Sequence, residues 1–229
     1  MDRRAFLQAA GLGSVAATAG CLQSVVTGAG GSTVLPPPEN RQFDSSELPY
    51  PAHGQQLPRV SLPDPLTGET IDTADIETTT VVTGFFASCP AECARLISQL
   101  AGVQHGTVEA GIADDVTFLP ITFDPKRDTE AALREYATRM NVDMSAGNWH
   151  FLRPADAAEA RDVVDERLGI TFDRIGAGKS GRLPGYDFRH LSLTFLVNPA
   201  GVVERAYRTD TPDHERVLSD VKRVATADR

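Results

Sequence analysis

The sequence predicts an α/β domain: a central mixed β-sheet flanked by helices, with a hairpin ahead of it. Three observations predict it. "TTTVVTGFF" (78–86) and "DVTFLPITF" (115–123) are short runs rich in β-branched and aromatic residues, as strands buried on both faces require. Segments with apolar residues near helical spacing alternate with them. The chain closes as strand, turn, strand and helix, an order that puts parallel and antiparallel pairs in one sheet.

The elements follow in order. "RVSLPDPLTGETI" reads as a hairpin turning at Thr67-Gly68. After the first long strand, "AECARLISQLAGV" places Leu96, Ile97, Leu100 and Val103 on one helical face. "DPKRDTEAALREYATRM" reads as a helix of strong formers with Asp128 as its N-cap. "WHFLRP" is a strand-like piece. "DAAEARDVVDERLGI" is a helix with Ala158, Val163, Val164 and Leu168 inward. "HLSLTFLVNPAGVVERAYR" is two strands around a turn at 198–201, and "DHERVLSDVKRVA" is the last helix. The order βαβαβ…ββα, with two cysteines ending the first long strand, is the thioredoxin-like arrangement.

The first 21 residues read as a secretory signal: Arg3 and Arg4, then a short weakly apolar run ending in small residues before Cys21. The paired arginines point to twin-arginine export. The run is too short and too rich in Ala and Gly to span a membrane. "TAGC" resembles a lipoprotein processing box, so Cys21 is expected to carry a lipid and hold the protein on the outer face of the cytoplasmic membrane; the alternative is a signal peptide cut without lipidation, and both place the mature protein outside the cytoplasm. Residues 22–55, dense in Gly, Pro, Ser and acids, read as a flexible tether. Residues 56–229 remain for one domain with a real core.

The net charge is −9, with 19 Arg against 3 Lys and 19 Asp against 12 Glu. That balance resembles proteins of salt-loving archaea, whose acidic surfaces stay hydrated while salt screens their repulsion. It argues against nucleic acid as a partner, because no basic stripe is present.

Only Cys89 and Cys93 lie within the domain. Four residues at 3.6 per turn put them on one helix face, with Cβ atoms roughly 6 Å apart. Cys89 falls at or before the first turn, where free N–H groups and the helix dipole favour a thiolate. A structural disulfide is one reading, although so short a loop removes little unfolded-state entropy. The spacing is not the C-x-x-C of thioredoxin. Two soft thiolates on one face suit Cu(I) or Zn(II), provided another ligand arrives from elsewhere. Of five histidines, His53 lies in the tether, His105 in a loop after the first helix, His150 beside Trp149 and His214 ahead of the last helix. These four have ordinary structural readings. His190 stands before a buried strand, after the irregular Gly-rich segment 176–187, where a loop could fold over the Cys-bearing helix end.

Together these residues resemble the Sco/SenC family, exported thioredoxin-like copper proteins used in cytochrome oxidase assembly. The likeness runs from about residue 58 to 222. "SCPAEC" matches the family's C-P-x-x-C. "ITFDPKRDTEAALREYA" is similar to its strand, D-P-x-x-D-T turn and helix. "WHFL" resembles its W-x-F-L segment, and "HLSLTFLVNPAGVV" its metal-ligand His with the x-P-x-G turn. Ala94 stands where a proline is usual, Arg153-Pro154 where Thr-Gly is common, and Arg189 where an acid commonly precedes the ligand His. A cation there is expected to disfavour Cu(II).

The resemblance implies that Cys89, Cys93 and His190 hold one copper ion, as Cu(I) or as Cu(II) with a further oxygen ligand. It also implies delivery to the binuclear copper centre of subunit II of a haem–copper oxidase. The expected protein is a monomeric metallochaperone rather than an enzyme, kept near its acceptor by the lipid and tether. A second reading is a thiol–disulfide oxidoreductase that reduces the acceptor's cysteines, with Cys89 and Cys93 as the redox pair and no need of His190. A third is a peroxidase or redox sensor, for which no activating Arg or Thr can be placed.

Overall fold

The computed structural model describes residues 32–39, 41–89, 91–175 and 188–227. The signal arginines, Cys21 and the segment 176–187 lie outside the described residues. Among those described, no helix is long and apolar enough to cross a membrane.

A hairpin of β1 (Ser61–Pro63) and β2 (Thr70–Asp72) precedes the main sheet, with Gly68 supplying the positive φ its turn needs. The sheet has the order β4-β3-β7-β8. β3 (Thr79–Phe85) is buried at every residue and runs parallel to β4 (Val116–Thr122). β7 (Thr194–Val197) lies antiparallel to β3 on its other side, and β8 (Val203–Tyr207) closes the edge. The sheet is therefore mixed, as the element order predicts. The Trp149–Leu152 piece extends it beyond β4 through parallel bridges, with His150 N–H donating to Phe118 O at 2.9 Å and Leu152 N–H to Pro120 O at 2.9 Å.

α1 (Glu92–Glu109) is the crossover between the parallel strands and runs six residues past the predicted stretch. His105 is therefore on the helix, not in a loop after it. Gly102 and Gly106 disguise that extension, and α4 (His214–Ala225) explains them. A Cβ on Gly106 would clash with Leu218, and one on Gly102 would come within 3.3 Å of His214. Small residues let the two helices approach. On the sheet, Phe85 and Gly84 point to opposite faces, as pleating demands. Phe85 stacks on Tyr136 of α2 (Glu130–Arg139) at 5.4 Å. A Cβ on Gly84 would meet Val164, on the wider π-type continuation (Arg161–Arg167) of α3 (Ala157–Ala160), and Ile170, just beyond that continuation.

Three further expectations change. The N-cap of α2 is Thr129, whose hydroxyl accepts from Ala132 N–H; Asp128 is buried and used elsewhere. On α3, Ala160 is buried and Ala158 exposed, because Ala160 lies three and four residues before Val163 and Val164, on the same helical face. Residues 32–39 and 41–55, read as tether, pack onto the domain instead. Leu35 and Ala52 are buried. The buried Glu204 carboxylate accepts from Val34 and Leu35 N–H, each at 2.8 Å, and Arg205 donates to Pro36 O at 2.9 Å. A polar strap becomes ordered where one apolar anchor and a buried acceptor wait for it.

Candidate metal centre

The site forms where β3 ends. β3 leaves the sheet at Phe85, and the chain is then held at Ala87. The Asp128 carboxylate accepts the Ala87 N–H at 3.0 Å, while Arg139 donates to the Ala87 carbonyl at 3.1 Å. Asp128 also accepts from the Thr122 hydroxyl at the end of β4. Burial pushes its pKa up to about 6, against the hydrogen bonds that favour the carboxylate. This grip on one residue, through the peptide groups on both of its sides, fixes the path into Cys89. The sequence offered Asp128 only as a helix cap.

Cys89 and Cys93 are both free thiols and both buried. α1 begins at Glu92 with no side-chain cap from Ala91. The Cys89 sulfur takes that place, accepting the Cys93 N–H at 3.4 Å. The Cys93 thiol, this backbone N–H and His190 all favour the Cys89 thiolate, lowering its pKa from 9.0 to about 5. Cys93, fully buried beside that charge, is pushed well above the ordinary thiol range, chiefly by loss of solvation. The pair is therefore asymmetric: one thiolate and one thiol at neutral pH.

His190 arrives on an element the sequence did not reveal. β5 (Phe172–Arg174) and β6 (Phe188–His190) form a separate antiparallel ribbon, three residues on each side. His190 is its last paired residue, opposite Phe172, and the main-sheet strand starts four residues later. Alternation puts Phe172, Arg174, Phe188 and His190 on one ribbon face. That face packs on Phe123 and Phe86, whose ring centroids lie 5.4 and 5.9 Å from the imidazole. Arg189 is exposed on the other face, in register with Asp173. The expectation that its cation bears on the site is thereby corrected, since strand alternation turns it away.

The result is a compact donor set. His190 Nε2 lies 3.6 Å from Cys93 Sγ, and the three donor atoms are all within 4.8 Å of one another. First-row metal bonds of roughly 2.3 Å to sulfur and 2.0–2.2 Å to nitrogen put adjacent donors about 3.5 Å apart in a tetrahedral site. The residues fit one soft metal ion with little movement. Nδ1 of His190 is buried and has no hydrogen-bond partner among the described residues. The tautomer that protonates it leaves the Nε2 lone pair facing the sulfurs.

Among the described residues this is the one group of three His, Cys, Asp or Glu side chains arranged to hold an ion. The other histidines have structural partners. His53 bonds to Leu35 O at 2.9 Å, His105 to Asn141 O at 3.0 Å and His150 to the buried Asp64 at 3.1 Å, while His214 packs on Gly102.

Fold and site together define a class: a thioredoxin-like domain with a Cys–Cys–His group at the carboxyl end of its first long strand. The chain belongs to the SCO1/SenC family, whose family model matches residues 65–226. It is 28% identical over 120 residues to a SCO2-like protein of Rickettsia typhi, a match covering 51% of this chain and 52% of that protein. A SCO2-like protein of Rickettsia conorii is 26% identical over 132 residues, 57% of this chain and 58% of that one. The chain thus spans a little over half the length of these curated relatives. Among solved structures, a SCO1/SenC family lipoprotein from Bacillus anthracis superposes with a TM-score of 0.62 at 19% identity, covering 78% of this chain and 96% of that one. ScoI of Bradyrhizobium japonicum, solved with copper bound, gives 0.59 at 20% identity over 74% and 99%. BsSco, described as a member of the Sco family of cytochrome c oxidase assembly proteins with a disulfide switch, gives 0.61 at 18% over 77% and 96%. At such identities the likeness establishes the thioredoxin-like fold.

Proposed function

We propose that this protein is a copper metallochaperone that holds one copper ion through Cys89, Cys93 and His190 and hands it to the binuclear copper centre in subunit II of a haem–copper oxidase. The observation that carries the reading is the clustering of the three donor atoms within 4.8 Å. Two sulfurs and one imidazole match Cu(I), a soft ion content with three ligands. The copper-bound relative with the same fold supports the choice of metal. Binding displaces the Cys93 proton, since Cys89 is already a thiolate. Transfer would proceed by ligand exchange, acceptor donors replacing Cys89, Cys93 and His190 one at a time. A two-electron oxidant, such as another disulfide, would convert the two thiols to a disulfide, taking up the two electrons and the protons they carry and removing both sulfur donors. Redox state would then gate loading.

In this reading the protein is exported through Arg3 and Arg4, anchored on the outer face of the membrane by a lipid on Cys21, and works as a monomer without enzymatic turnover. Arg3→Lys with Arg4→Lys is expected to block export, and Cys21→Ser to release the protein from the membrane. Normal export of the first, or membrane retention of the second, refutes the corresponding step.

The asymmetric Cys pair supports one alternative, a thiol–disulfide oxidoreductase in which the Cys89 thiolate attacks and Cys93 resolves. Metal analysis of the reduced protein decides between them. One copper per chain, lost in Cys89→Ser and Cys93→Ser, supports the chaperone. Stoichiometric copper in a double Cys variant sinks it.

A further inference from the structure

We infer that Glu92 supplies an oxygen ligand to the Cu(II) form of this site and so sets how the protein discriminates between the two oxidation states of copper. The inference rests on the copper reading above and deepens it. Glu92 Oε2 lies 4.0 Å from Cys89 Sγ. With metal bonds of roughly 2.3 Å to sulfur and 2.0–2.2 Å to oxygen, two donors on one ion lie at most about 4.4 Å apart. That separation from Cys89 is within the span that one ion bridges, while Glu92 stands outside the set of donors that lie within 4.8 Å of one another.

Among the described residues, the surroundings set Glu92 apart. Cys93 is 0% exposed beneath the site. Phe86 and Phe123 close the space around the imidazole. Beside Cys89 among the described residues stands the half-buried Glu92. Glu92 is the first residue of α1, so its carboxylate sits where the helix N-terminus favours an anion. Its charge also bears on Cys93. Arg95, one turn further along α1, pairs with Asp210 and also interacts with the Glu92 charge. To reach an ion held by the other three donors, the Glu92 side chain would have to change rotamer.

Chemistry gives that rotation a reason. Two sulfurs and an imidazole satisfy Cu(I), and a carboxylate adds little to a soft ion. Cu(II) is harder and takes more nitrogen and oxygen ligands. The S,S,N set alone leaves it short of donors, and Glu92 is placed to make up the deficit. The device holds both oxidation states with the same three residues and lets a fourth respond to only one of them.

The test compares the full chain with Glu92→Gln and Glu92→Asp variants. It uses CuCl2 followed by electron paramagnetic resonance and visible absorption, and Cu(I) in competition with a chromophoric chelator. Glu92→Gln is expected to weaken Cu(II) about 10-fold or more and to shift its hyperfine pattern and thiolate charge-transfer bands. It leaves Cu(I) affinity within about 3-fold and the apo melting temperature unchanged, and Glu92→Asp recovers part of the Cu(II) affinity. Unchanged Cu(II) spectra in Glu92→Gln, or equal loss of both ions, overturn the inference while leaving the copper site itself intact. A parent chain that binds neither ion overturns the copper reading, and this inference with it.

Discussion

The imidazole of His190 and the sulfur of Cys93 stand 3.6 Å apart although 97 residues separate them in the chain. The contact joins the end of a small ribbon to the first turn of the crossover helix. Removing the imidazole should therefore hurt metal retention and spare thiol chemistry. His190→Ala is expected to weaken Cu(I) binding about 10- to 100-fold. Its rate of exchange with a small disulfide should stay within a few-fold of the parent. If His190→Ala still supports oxidase assembly in cells while Cys89→Ser does not, the oxidoreductase reading takes over.

The thiolate at Cys89 depends first on the Cys93 thiol. Cys93→Ala should raise the Cys89 pKa from about 5, whereas Cys93→Ser keeps a donor and should raise it less. Thiolate absorbance near 240 nm against pH measures both. The linkage sign follows from the depressed value. The stability that this group contributes is complete above its unfolded value near 9.0 and is lost as pH falls toward about 5.

Asp128 acts in the opposite sense. Its carboxyl is raised from 3.8 to about 6 by burial. The folded protein then binds more protons than the unfolded chain between those values, so this group's contribution falls as pH rises from about 4 to 6. The full swing is at most about 3 kcal/mol. Asp128→Asn, which keeps an acceptor for the Ala87 N–H, should flatten that slope. Urea unfolding of parent and variant at several pH values reads the difference. Asp128→Ala leaves the Ala87 N–H without its partner and should cost about 1–3 kcal/mol at neutral pH.

The strap gives a prediction of its own. A chain beginning at Ser32 keeps Leu35 and the Glu204 contacts and should melt with the full-length protein. A chain beginning at Gln56 exposes the Leu35 site and strips the buried Glu204 carboxylate of two backbone donors, at 2.8 Å each. The lost burial alone is worth about 1.5–3 kcal/mol. Equal melting temperatures for the two truncations would show the strap to be dispensable.

Much was legible in the sequence because the physics involved is local. β3 and β4 announced themselves as short runs rich in β-branched and aromatic residues, and the Cys pair as two thiols one helical turn apart. The turn at Asn198–Gly201 was written in its residues: the Asn198 side chain accepts from Ala200 and Val202 N–H, and Gly201 takes the positive φ. The fold class and the Cys–Cys–His set followed from such signals, read with the family likeness.

Tertiary structure decided what depends on a partner far away. Three-residue strands such as β5 and β6 carry too little periodicity to be seen alone, and each exists because the other pairs with it. Only that pairing turns His190 inward and Arg189 outward, so adjacent residues in the sequence act on opposite sides of the ribbon. Asp128 looked like a cap because caps are local, yet it grips Ala87, 41 residues away. Leu35 looked like tether because nothing nearby in sequence could cover it; Glu204, 169 residues on, is what draws its backbone in. Sequence by itself determined the long strands, the helices and the donor residues, and long-range pairing and burial decided the short ribbon and which of its sides faces the Cys pair.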